Sequence, residues 1–280
     1  MGVGMKVEQR RTAILEVLMT EEAADIEDLA RRFGVSRMTI RRDLEGLSLE
    51  GRVSVGRGEA RISQSSGIEP RYAAKQRVNA ALKAQIARYA ALHLVKDDDV
   101  LLMEGGTTVT AMAQHLQGKS GLTVVTNGLY TVNELAHLVP GVTVMSTGGI
   151  LRDVSFTYVG PAAEDFLANV HAGTAFVSAT GFTLENGFTD PNPLESRVRK
   201  AMVECAERVV VLLDSSKFGV TSLITVALPD GIDVLVTDSG APAPDLEQLQ
   251  AKGVEVHVVG AGTGQKTEAT SKRRTHGPRS

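Results

Sequence analysis

The stretch VSRMTIRRDLEGLSLEG, residues 35–51, has two different faces at helical spacing. Ile40, Leu44 and Leu47 share one side and form an apolar stripe suited to burial. Ser36 stands where a helix takes its N-cap. At about 100° per residue, Met38, Arg41 and Arg42 fall on the side away from Ile40, with Arg37 and Thr39 flanking them. A helix that buries one side and presents arginines on the other fits the major groove of DNA.

The flanking sequence completes a unit around that helix. Upstream, DIEDLARRFG (residues 25–34) sets Ile26, Leu29, Ala30 and Phe33 on one face. Asp25 caps this shorter helix, Glu27 and Asp28 suit the positive end of its dipole, and Gly34 ends it. Further upstream, VEQRRTAILEVL supplies a third helix through Ile14, Leu15 and Leu18. Downstream, GRVSVGRGEARI alternates apolar residues about Gly56-Arg57-Gly58 and reads as a β-hairpin with Arg57 at its tip. Three helices and a hairpin predict a winged helix-turn-helix over residues 1–62. By this reading Arg37, Thr39, Arg41, Arg42 and Arg57 contact DNA. Residues 1–62 hold eleven Lys/Arg and eleven Asp/Glu, so the unit is neutral by count. The signs are segregated, however: no acid falls within 31–42, which places the positive field at the groove.

The 280-residue chain is 42% hydrophobic and 22% charged, enough for about two domains of ordinary size. Aromatics are 4% and Trp is absent, which argues against a stacking platform for single-stranded nucleic acid. The net charge of -3 means that DNA binding has to come from a local patch. A single cysteine, Cys205, excludes an internal disulfide and fits a reducing compartment. No apolar run is long enough to cross a bilayer and no apolar signal segment opens the chain, so a cytoplasmic protein without a membrane partner is expected.

Polar residues with a Gly and a Pro mark a linker over 63–75. From Arg71 to Leu94 the periodicity predicts mostly helix. Apolar strands then alternate with helices. The strand candidates are 100–103, 122–126, 142–145, 175–179, 208–213, 223–227, 234–237 and 254–259, an α/β layered sheet spanning 76–262. Ligands of such sheets gather at the carboxyl ends of the strands. There the chain places Glu104-Gly105-Gly106-Thr107-Thr108, Asn127-Gly128, Gly148-Gly149, Thr180-Gly181 and Asp214-Ser215-Ser216-Lys217. Turn amides with hydroxyls suit a phosphate, and Lys217 adds a cation. The tail 263–280 is polar and basic, which predicts disorder.

These motifs identify a resemblance. The run 36–60, above all Thr39-Ile40-Arg41-Arg42-Asp43-Leu44, resembles the helix-turn-helix of the DeoR family of bacterial transcription regulators. Gly106-Thr107-Thr108, LTVVTNGL, VMSTGGILR, TGFTLENGFTDPNPLESRVRKAM and LLDSSKFG resemble that family's effector-binding half. The resemblance covers about residues 6–238. It implies a sensor domain similar to ribose-5-phosphate isomerases and CoA-transferases, a phosphorylated sugar as effector, and repression of a carbohydrate-catabolism operon. It also implies an effector site of Glu104, Gly106, Thr107, Thr108, Asn127, Gly148, Gly149 and Lys217. The chain departs from the pattern in three places: Glu59 in the wing, Glu104 for the usual Asp, and Gly105 for the usual Ser.

The competing class is an isomerase-like enzyme with a DNA-binding appendage. An aldose–ketose isomerase needs a positioned carboxylate base. The region 178–182 has no acid, but Glu104, Asp190 and Glu195 lie elsewhere. Glu195 and Lys200 are expected to flank one helix face or to pair. The six His residues are scattered without zinc spacing, so no metal is expected, and no Ser-His-Asp arrangement is legible. The expected protein is a sensor without cofactor or catalytic residues. The expected partners are a double-stranded operator, a small phosphorylated sugar and a second copy of the chain, as a homodimer or larger. An activator of the same architecture stays open at this point, as does the effector's identity.

Overall fold

The computed structural model describes residues 5–21, 23–50, 52–56, 58–62 and 69–260. Arg57, residues 63–68 of the expected linker and the expected disordered tail lie outside those residues. The chain divides into two units, Met1–Val78 and Asn79–Ser280.

The first unit runs α1 (Val7–Glu21), β1 (Ala23–Asp25), α2 (Ile26–Phe33), α3 (Arg37–Leu49), β2 (Val53–Gly56), β3 (Glu59–Ile62) and α4 (Tyr72–Arg77). The expected caps form. Asp25 accepts from the Glu27 amide at 2.7 Å, Ser36 Oγ accepts from the Thr39 amide at 3.1 Å, and Gly34 ends α2 at φ 63°. Ile14, Leu18, Leu29, Ile40, Leu44 and Leu47 form one buried cluster, closed by Val53, Ala60 and Ile62 of the hairpin. The wing gains a strand not foreseen from the sequence, because β1 pairs antiparallel with β3 in the order β1-β3-β2.

The expected linker over 63–75 needs correction at its end. Tyr72 and Ala74 of α4 are buried, and the Arg71 amide donates to the Met19 carbonyl at 3.0 Å, so this helix belongs to the first unit. The single helix expected over 71–94 is two. Asn79 takes φ 51° between α4 and α5 (Ala80–Leu94), and its Nδ2 donates to Asp214 Oδ1 at 2.9 Å instead of capping α5.

The second unit continues with β4 (Val100–Met103), α6 (Thr107–Thr110), β5 (Thr123–Thr126), α7 (Leu129–Leu135), β6 (Thr143–Ser146), β7 (Ile150–Leu151), β8 (Tyr158–Val159) and α8 (Pro161–Leu167). It ends with β9 (Ala172–Val177), β10 (Gly181–Thr183), β11 (Gly187–Asp190), α9 (Pro193–Glu204), β12 (Ala206–Leu212), β13 (Ile224–Ala227), β14 (Val234–Asp238), α10 (Ala243–Ala251) and β15 (Glu255–Val259). Seven strands form one parallel sheet in the order β15-β14-β12-β9-β4-β5-β6. The residue alternation explains its two covered faces. Leu101, Met103, Val210 and Leu212 face α5, while Leu102, Val209 and Val211 pack with residues of α8, α9 and α10. The remaining expected strand, 223–227, is not in this sheet. Its counterpart β13 joins β10 and β11 in a small antiparallel sheet beside Phe182, Phe188 and Phe218.

The strand order sets a crevice of the kind in which open α/β sheets hold ligands. The chain winds outward from β4 through β5 to β6, then returns to place β9 on the other side of β4. The reversal between β4 and β9 is a topological switch point, where the connections leave a crevice beyond the strand ends.

Candidate functional sites

On the first unit, α3 presents Arg37, Met38, Arg41 and Arg42 to solvent, with Met38 60% exposed. Arg37 is ion-paired with Glu27 of α2. Arg31 pairs with Asp28, and Arg32 with Glu21 and Asp28. Among the described residues, Arg41 and Arg42 make no ion pair. Thr39 is half-buried, and its hydroxyl shares a hydrogen bond with Ser36 Oγ at 2.9 Å. Asp43 faces inward, where Arg10 grips it through Nε at 2.5 Å and Nη2 at 3.2 Å. Gly46 leaves room for the Arg11 guanidinium, which a Cβ there would meet head-on.

On the second unit, the turn after β4 (residues 104–108) and the turn after β9 (residues 178–180) meet across the switch point. Ser178 Oγ donates to Glu104 Oε2 at 2.8 Å. Thr107 and Gly106 are half-buried and Thr108 is buried. Among the described residues, no acceptor meets the amides of Gly106, Thr107 and Thr108. The turn after β5 lies beside them. Asn127 Oδ1 accepts from the Gly105 amide at 3.0 Å, and its Nδ2 donates to the Tyr158 carbonyl at 3.3 Å. Gly105 is required by close approach, since a Cβ there would stand 2.7 Å from Gly128 Cα and 2.6 Å from Thr157 Cγ2. Its departure from the family's serine therefore belongs to this packing.

Lys217 follows β12, on the β9 side of the switch point. Asp214 straps this turn by accepting from Ser216 Oγ at 2.5 Å, and Asp238 by accepting from the Ser215 amide at 2.7 Å. Lys217 is half-buried and makes no ion pair among the described residues. Gly148 and Gly149 lie on the opposite side of β4 from Lys217, at the same remove of two strands. They follow β6, and both take positive φ; a Cβ on Gly149 would meet the Val159 carbonyl at 2.6 Å.

The candidate carboxylates are all engaged. Glu104, 1% exposed, receives Arg199 Nη2 at 2.6 Å. Asp190 is ion-paired with the same guanidinium and accepts from the Thr180 amide and hydroxyl at 3.0 and 2.9 Å. Glu195 pairs with Arg152 at 2.7 Å and accepts from Thr157 Oγ1 at 2.6 Å. This corrects the expected Glu195–Lys200 pairing: Lys200 is exposed, and the residue one helical turn from Glu195 is Arg199. Sequence reasoning missed Arg199, Arg152 and Ser178. The four-residue spacing of Glu195 and Arg199 suggests a pair between them, but Glu195 pairs with Arg152, and Arg199 with Glu104 and Asp190. Burial pushes the Cys205 thiol up, away from the reactive thiolate. Among the described residues no group of His, Cys, Asp or Glu is placed to hold a metal ion, and no helix is long and apolar enough to cross a membrane.

Comparison with known proteins assigns both units. The family described as a DeoR-like helix-turn-helix domain matches residues 10–66, and the DeoR C terminal sensor domain matches residues 78–239. A candidate aga operon transcriptional repressor of Escherichia coli O157:H7 is 35% identical over 254 residues, 90% of this chain and 94% of its own length. The transcriptional regulator GolR of Listeria innocua is 33% identical over 250 residues, 89% of this chain and 98% of its own. Ribose 5-phosphate isomerase from Plasmodium falciparum aligns with a TM-score of 0.37 and 11% identity over 49% of this chain and 52% of that one.

Proposed function

Since the chain belongs to the DeoR family of transcription regulators, we propose that it is a cytoplasmic repressor of a carbohydrate-catabolism operon, released from DNA by a phosphorylated sugar. The observation that carries this reading is the Gly106-Thr107-Thr108 turn standing at the switch point between β4 and β9 with unused amides. Those amides and the Lys217 ammonium satisfy a phosphate dianion without chemistry. Glu104 and Asn127 are buried beneath that turn and shape it, with the sugar lying toward the turns after β5 and β9. An isomerase needs a carboxylate free to take a proton. Glu104, Asp190 and Glu195 are instead each held by an arginine, which supports sensing over catalysis.

A ligand releases DNA only if it prefers the low-affinity conformation. The test is operator binding by the parent and by Lys217→Met, each titrated with a panel of pentose and hexose phosphates. The parent is released by one of them. Lys217→Met binds the operator as the parent does and needs about ten-fold more effector, the loss of one charge-assisted contact. Release of both proteins at the same effector concentration removes Lys217 from the site.

A further inference from the structure

Beneath the Gly106 turn lies a charged cluster whose sign is wrong for an anion site. Glu104 and Asp190 share a single guanidinium, that of Arg199, and all three side chains are buried. Two carboxylates against one guanidinium leave the cluster at a net -1. Its negative end is the one under the turn: Glu104 Oε2 stands 2.6 Å from the place of a Cβ on Gly106. The neighbouring Glu195–Arg152 pair is neutral, and Ser178 and Thr180 contribute only hydroxyls and an amide. A dianion seated on the turn therefore meets a buried carboxylate at short range, where the low dielectric makes charge costly.

We infer that Arg199 is a positioning residue for effector binding. It does not hold the ligand. It cancels one of the two buried charges and keeps the Glu104 carboxylate turned to α9 and Ser178, so that the amides above and Lys217 prevail. Glu195, four residues earlier on the same helix face, fastens α9 to the Ser155–Thr157 segment through Thr157, and the two contacts together fix the helix under the site. This inference rests on the reading of Gly106–Thr108 and Lys217 as the anion site.

The test uses the full chain and sulfate, a dianion whose charge is constant around neutral pH, at fixed ionic strength. Affinity is read by calorimetric titration, and folding by thermal melting. The inference orders the variants by cluster charge. Glu104→Gln makes the cluster neutral and binds sulfate at least about three-fold tighter than the parent. Arg199→Met leaves two unbalanced carboxylates and binds about ten-fold weaker or worse. Arg199→Lys and the double variant Glu104→Gln/Arg199→Met both restore the parental charge and return to within about three-fold of it. A guanidinium that only holds the fold together predicts another order, with the double variant at least as impaired as Arg199→Met. That order, or a Glu104→Gln protein no tighter than the parent, overturns the inference. If Arg199→Met does not fold, Glu104→Gln alone decides. Lys217→Met separates the two levels. If it leaves parental sulfate binding unchanged, the site reading falls and this inference with it. If it weakens sulfate while the charge order fails, only the role of Arg199 falls.

Discussion

Arg41 and Arg42 differ from the arginines around them in holding no acid among the described residues. Arg31, Arg32 and Arg37 are each tied to a carboxylate of the first unit, so bringing them to DNA costs an existing contact. Exposed pairs of that kind are individually weak, about 0–1 kcal/mol, but each carboxylate also stands against the phosphates. The two unpaired side chains are the ones ready to engage. Arg41→Ala and Arg42→Ala are expected to cost about 1–3 kcal/mol each in operator affinity and to relax specificity wherever a base edge is read. If either contacts phosphate instead, binding weakens evenly across sequences and the salt slope falls by about one. Arg37→Ala is expected to cost less than either. Gel-shift titrations at several salt concentrations measure all three, and parental affinity in the Arg41→Ala/Arg42→Ala protein removes α3's outer face from recognition.

At the scale of elements, the residue that sets how α3 is carried is Asp43. Within the family's Thr39–Leu44 run it is the polar side chain that turns inward, to the Arg10 guanidinium of α1. Removing Asp43 strands the Arg10 guanidinium, at about 3–5 kcal/mol, whereas removing Arg10 still leaves Arg11 Nε 3.8 Å from Asp43 Oδ1, and replacing both Arg10 and Asp43 with apolar residues is milder. Arg10→Met and Asp43→Leu should each lower the melting temperature of the first unit, and the double variant should melt above either single one. A double variant that melts below both would show that the pair contributes net stability. This division also marks what the sequence makes legible. Periodicity and caps are local, so the Ile40–Leu44–Leu47 face, the Asp25 and Ser36 caps and the seven strands of the parallel sheet all leave a readable trace. Partners far apart in sequence leave none. Glu104 and Arg199 are 95 residues apart, and Asp43 and Arg10 are 33 apart. Two-residue strands such as β7 and β8 are too short for a period, and β13 reads like any buried strand although its partners are β10 and β11. The Gly-Thr-Thr turn was visible, but its place at a switch point depends on strand order, which no single segment encodes.

At the scale of the molecule, one α3 is expected to serve one half-site, as DNA readers of this kind bind two half-sites about one helical turn apart. Joining two such units converts the second contact into an intramolecular event, worth about 10²–10⁴ in affinity without any new DNA contact. The second unit is the part expected to join them. A fair test requires the right cut. The first unit continues beyond its wing to α4, where Tyr72 is 3% exposed and the Arg71 amide is bonded to Met19, so a fragment ending at 62 loses packing as well as a partner. The fragment to compare is residues 1–78, the whole of the first unit. It is expected to sediment as a monomer, to melt cooperatively, and to bind a full operator at least about 100-fold more weakly than the complete chain. On a DNA carrying one half-site the difference should vanish, because only one α3 is then in use. Sedimentation and gel-shift titration on both DNAs measure this. A folded 1–78 fragment that matches the full chain on the full operator means that assembly through the second unit contributes nothing to DNA affinity.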